Sequence, residues 1–195
     1  MEAIGIPRLV LSCWLLTGVV GVSSERTLGI TEFSRAEESG LTWQIVDDRV
    51  MGGRSQGQVA LTDHDSMVFR GQLSLENNGG FSSVRADLGK VDWSPYEGVA
   101  LKVKGDGRRY QLRLTTDAKY RYWDVSFRAG FPTEKGKWST VFIPFVAFEA
   151  GFRGRSLPTV KFDPKTVRRI GILLGDKNPG SFQLEIDSLW AYSKS

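Results

Sequence analysis

The 195-residue sequence predicts an all-β sandwich or jelly roll. Apolar and polar residues alternate with period two in one run after another from Leu41 onward, as strands buried on one face do. Gly-Asp-Gly at 105–107, Lys-Gly-Lys at 135–137 and Asn-Pro-Gly at 178–180 fall between those runs as turns. No long helical period interrupts them, so the βαβ rhythm of a parallel sheet is missing.

Residues 1–24 differ from everything after them. Arg8 precedes the uncharged run "LVLSCWLLTGVVGV", which is followed by Ser23, Ser24 and Glu25. A short positive flank, an apolar stretch and small residues predict an export signal cut near Ser24. An uncleaved membrane anchor is the alternative, although the run is shorter than the ~20 residues that span a bilayer. A mitochondrial presequence fits less well, because such segments are arginine-rich and amphipathic. The expected location is therefore periplasmic or secreted, or at a membrane held by the leader. Cys13, the only cysteine, lies inside the run. Cleavage would leave no disulfide, no thiolate chemistry and no cysteine-ligated metal.

Residues 25–40 read as a polar lead-in with a short helical turn at Ser34 to Glu38, and residues 41–192 as one β domain. Within "GVALKV", Val99, Leu101 and Val103 alternate with Ala100 and Lys102. "RYQLRLTT" sets Tyr110, Leu112 and Leu114 against Gln111 and Arg113. "YRYWDVSF" separates Trp123, Val125 and Phe127 from Tyr122, Asp124 and Ser126. "RRIGILLG" is more continuously apolar and predicts a strand covered on both faces. "SFQLEIDSLWAY" sets Phe182, Leu184 and Ile186 against Gln183, Glu185 and Asp187.

The composition is that of a soluble globular chain, with 41% hydrophobic and 25% charged residues. Its net charge of +4 comes from interspersed acids and bases rather than a basic block, so no nucleic-acid partner is expected. His64, the only histidine, sits between Asp63 and Asp65 in "LTDHDSM". Neighbours on an extended chain point to opposite faces, so it reads as a solvated turn residue rather than a metal ligand or triad base. No metal and no cofactor are expected. Asp47, Asp48, Glu76, Asp87, Asp124 and Glu185 would have to converge in pairs to support glycosidase chemistry, and surface pairing is the commoner fate of such acids. Arg85, Lys102, Gln111 and Arg113 fall on polar strand faces with Trp123 and Tyr122 nearby in sequence, a set suited to reading sugars, phosphates or polypeptide; a solvated face on which arginine stems cover apolar surface is the alternative.

Two stretches stand apart: "VDDRVMGGRSQG" at 46–57 and "LSLENNGGFSSVRADL" at 73–88. Together with "YEGVALKVKGDGRRYQLRL", "WSTVFIPFVAFEAGFRG" and "VRRIGILLGDKNPGSFQLEIDSLWAY", they resemble the complex I intermediate-associated protein family over about residues 41 to 192. The resemblance implies a galactose-binding-like β jelly roll. It also implies a chaperone- or scaffold-like role without catalytic residues, in which NADH dehydrogenase subunits or assembly intermediates are the protein partner. An exported carbohydrate-binding module of the same fold, with a glycan ligand, is the alternative; a carbohydrate-active hydrolase is less favoured. Membrane association would come through the partner or an uncleaved leader.

The matching positions are Asp48, Arg49, Val50, Met51, Gly52, Gly53, Ser55 and Gly57, then Glu76, Asn77, Asn78, Gly79, Gly80, Phe81, Ser83 and Arg85. The glycines predict left-handed turns or close backbone approach. Asn77 and Asn78 tolerate left-handed backbone and bond to nearby main chain. Asp48 and Arg49 are expected to tie the first stretch to the second. Met51 suits either an irregular core edge or an adaptable contact. Arg49, Asn77, Asn78, Arg85 and Arg113 are the candidate binding residues; the rest of the two stretches are read as structural.

Overall fold

Strand pairing, all of it antiparallel between named strands, gathers the chain into two sheets. The computed structural model describes residues 27–32 and 41–193. The leader at 1–24 and the helical turn expected at 34–38 lie outside them. In chain order the strands are β1 (Thr27–Glu32), β2 (Trp43–Asp47), β3 (Gln56–Leu61), β4 (Met67–Leu73), β5 (Ser82–Val91), β6 (Gly98–Lys104) and β7 (Arg109–Tyr120). They continue with β8 (Trp123–Pro132), β9 (Trp138–Pro144), β10 (Glu149–Phe152), β11 (Arg155–Ser156), β12 (Val167–Leu174) and β13 (Gly180–Tyr192). Residues 27–32, expected in a polar lead-in, instead form a strand on β13.

The six-stranded sheet runs β3-β4-β13-β6-β9, with β1 also on β13. β13 is its spine: β6 lies along one edge, while β4 pairs with residues 180–186 and β1 with residues 188–192 of the other. The seven-stranded sheet runs β11-β10-β8-β7-β12-β5-β2.

The core lies between the sheets because alternate residues of each strand face inward. Val84, Leu112, Leu114, Phe127, Ile170 and Ile172 from one sheet meet Phe69, Leu101, Val103, Leu184 and Ile186 from the other, all fully buried. Each such side chain contributes about 1.5–3 kcal/mol of burial.

Three details depart from simple alternation. Trp123, expected inward with Val125 and Phe127, is 55% exposed because it flanks the tight turn at Arg121 and Tyr122. Ala100, expected on a wet face, is fully buried. Its register neighbours Phe142 and Trp190 stand on either side, and their rings meet edge to face at 6.4 Å, so the small side chain is roofed over. β12 is buried from Ile170 to Leu174, as its apolar run predicts, but Arg168 is exposed.

Candidate functional site

Both signature stretches meet at one carboxylate. β2 ends at Asp47, and Asp48–Met51 forms a 3-10 turn whose first residue is fully buried. Asp48 Oδ1 accepts from Ser55 N at 2.9 Å. Its Oδ2 accepts from Ser55 Oγ at 2.5 Å, Gly80 N at 2.6 Å and Phe81 N at 3.2 Å. Asp48 N donates to Phe81 O, and Gly53 N donates to Asp48 O. Ser55 Oγ also accepts from Ser74 N at 3.1 Å, drawing in the end of β4. A buried charge needs this many donors to offset its lost hydration.

Space around the carboxylate sets the glycine pattern. A Cβ on Gly53 would lie 2.3 Å from Asp48 Oδ1, and one on Gly79 2.6 Å from Oδ2. Gly52 and Gly80 instead have positive φ, at 90° and 126°. Asn77 and Asn78 are left-handed at 56° and 58°, as expected. Asn77, however, does not bond locally: its Nδ2 donates 3.1 Å to Gly52 O, a second tie between the stretches.

Beneath the turn, Asp47 accepts from Gly57 N and Ser82 Oγ, and Ser83 Oγ donates to Val46 O. These bonds fasten β2 to β3 and β5. Arg49 does not bridge to the second stretch; Arg54 does, at 2.7 Å from Glu76. Both partners are well exposed, so that pair contributes little.

Burial pushes the Asp48 carboxyl up, but the hydrogen bonds from Ser55, Gly80 and Phe81 outweigh it and hold the group below the ordinary carboxylate value. A depressed folded pKa gives stability that is complete above the unfolded pKa and lost as pH falls through the folded one. The melting temperature of the wild type should therefore fall below about pH 4, and Asp48→Asn should flatten that acid limb. An unchanged acid limb in the variant, followed by circular dichroism, would place the acid sensitivity elsewhere.

The locked turn displays three residues outward. Val50 is 73% and Met51 68% exposed. Arg49 is exposed, and its side chain meets no acid among the described residues. Asn78 is exposed on the second turn. Met51 is thus a surface residue, not a core plug.

Arg85 and Arg113 belong to a different place. They lie on the outward face of the seven-stranded sheet, where Gly171 of β12 pairs with Arg85 of β5 on one side and Arg113 of β7 on the other. Arg128 of β8 pairs with Arg113, extending the row. The five candidate binding residues therefore divide into Arg49, Asn77 and Asn78 at the turns, and Arg85 and Arg113 on the sheet. Arg128, Arg169 and Gly171 complete the sheet group and were not singled out from sequence. Alternation assigns a residue to a face but says nothing of the register that lines up distant strands.

Of the six acids named from sequence, Asp87 and Asp124 line one cleft with Lys119, Arg168 and Arg169, and each of the two is tied to a base. Asp87 bonds to Arg169, Asp124 to Lys119, Glu185 to Lys104 and Ser66, and Asp48 is enclosed in its own network. His64 lies exposed in the turn between β3 and β4, and Lys102 is on the other sheet.

The family model described as complex I intermediate-associated protein 30 matches residues 31–186. The chain belongs to that family. Mouse complex I intermediate-associated protein 30, mitochondrial, is 26% identical over 173 residues, 77% of this chain and 52% of the relative. The probable member from Caenorhabditis elegans is 28% identical over 170 residues, 77% of this chain and 50% of the relative. The chain spans about half the length of these curated relatives. Among solved structures, a family 11 carbohydrate-binding module from Clostridium thermocellum superposes with a TM-score of 0.65 at 15% identity, covering 87% of this chain and 95% of the module. At that identity the likeness is one of fold, and it agrees with the galactose-binding-like jelly roll.

Family membership corrects the expectation of export or leader anchoring. The family's relatives from mouse, nematode, fly and Neurospora are all named as mitochondrial. The charge and length of one apolar run are features that secretory and organellar segments share in part.

Proposed function

We propose that this protein is a non-enzymatic scaffold for assembly intermediates of respiratory complex I, docking a protein partner through the turn at Arg49–Met51. The observation that carries this reading is the exposure of Val50 and Met51, adjacent apolar side chains, on a turn anchored by a fully buried carboxylate. Single exposed apolar residues are ordinary. Here they are held out by a dense polar network that contributes nothing to covering them. Methionine adapts to irregular surfaces, and Arg49, Asn77 and Asn78 supply the polar rim that surrounds the apolar centre of an interface. The tied-up carboxylates support a role without catalysis. A glycan reading gains no support from the arginine-bearing sheet face, whose central row of Gln44, Arg85, Gly171, Arg113 and Arg128 carries no aromatic platform.

Replacing both Val50 and Met51 with serine should reduce co-purification of complex I subunits from mitochondria by about tenfold or more, the effect of losing an interface hot spot. The melting temperature should stay unchanged, since neither side chain is buried. Wild-type recovery of those subunits with the folded double variant would sink the proposal.

A further inference from the structure

Independently of that docking turn, we propose that the outward face of the seven-stranded sheet holds a phosphate-type oxyanion between Arg85, Arg113 and Arg169. A cleft of about 140 Å³ opens there, lined by these three arginines, Thr115, Ser126, Asp124 and Gly171.

Charge is the first argument. Arg169 is matched by Asp87 at 2.9 Å, and Asp124 at the rim is matched by Lys119. Arg85 and Arg113 meet only neutral acceptors: Ser83 Oγ at 3.2 Å, and Gln111 Oε1 at 3.1 and 3.4 Å. Arg128, beyond Arg113, has Glu149 only at 3.9 Å. Burial and then the Arg169 charge push the Arg85 guanidinium down, while burial, Arg85 and Arg128 push Arg113 down to about 10. Half-buried like charges without an acid are costly in the free protein, and a bound anion removes that cost.

Construction is the second. Gly171 lies between Arg85 and Arg113 in the register, and a Cβ there would come 2.9 Å from Val84 O and 3.0 Å from Arg85 Cγ. The missing side chain lets the Arg85 stem lie across β12, beside the cleft. Guanidinium groups from three adjacent strands, together with two hydroxyls, offer donors from several directions. A carboxylate is satisfied by one planar fork; a tetrahedral oxyanion uses a three-dimensional set.

Calorimetric titration of the full chain with inorganic phosphate, against chloride of equal ionic strength, tests this. Saturable one-site binding is expected, weakened about tenfold or more in Arg85→Gln and in Arg113→Gln, each of which loses a charged hydrogen-bonding partner. The ligand-free Arg113→Gln protein should melt higher than wild type, because a like charge is gone, and saturating phosphate should close that gap. A purely structural arginine would lower the melting temperature instead. Glycerol 3-phosphate in solution and phosphatidylcholine vesicles containing phosphatidate then distinguish a soluble phosphate ester from a lipid headgroup as the source. No saturable binding of phosphate, or equal binding in both variants and wild type, would overturn the site. Equal competition by acetate would overturn its tetrahedral specificity.

Discussion

Asp48→Ala should cost about 3–5 kcal/mol, the penalty for breaking a buried charged network and leaving its partners unpaired. The Ser55, Gly80 and Phe81 amides would lose their acceptor together. Asp48→Asn should cost less, because one carbonyl oxygen survives, but its amide N–H groups then face other donors. Urea unfolding gives both values. A loss below about 1 kcal/mol for the alanine variant would mean that the carboxylate is dispensable to the turn. Partner capture should fail with the alanine variant as well, since Val50 and Met51 would no longer be held in place.

Phe127→Ala should be comparably severe, at about 3–5 kcal/mol, from lost burial plus the cavity left behind. The ring is fully buried and packs edge to face on Phe162 at 5.2 Å, beneath the strand that carries Arg128 outward. Phe127→Leu should lose roughly 1.5 kcal/mol or less, because most of the volume remains. Denaturant titration with an unchanged m-value would confirm a cavity effect. A small loss in Phe127→Ala would show that the two sheets close over the gap.

Much of the fold was legible in local pattern. Period two at 109–116 and 181–186 assigned inward and outward residues correctly, since each strand has a core on one side only. It failed where geometry depends on a neighbouring strand, as at Ala100 beneath Phe142 and Trp190, or on a turn, as at Trp123. The signature stretches announced a turn structure through their glycines and asparagines, and Asp48 was marked as a tie. That Asp48 forms the tie while Arg49 does not follows from which side chain points into the sandwich end. One residue of phase decides that, and a 3-10 turn does not declare its phase in composition. The arginine group was half visible: Arg85 and Arg113 were named, but Arg128 and Arg169 join them only through pairings between strands far apart in sequence.

The position of β13 has a kinetic consequence. It is the last described strand to leave the ribosome, yet β1, β4 and β6 all hydrogen-bond to it. Until it emerges, the six-stranded sheet has the β3-β4 hairpin and the β6-β9 pair but no spine, and β4 and β6 present unpaired edges to other chains. Closing such sequence-distant pairs is slow, because loop entropy is lost before contacts repay it. Nascent chains of this protein therefore pass through a stage in which half the sandwich waits for its final strand with open edges, the arrangement that favours aggregation.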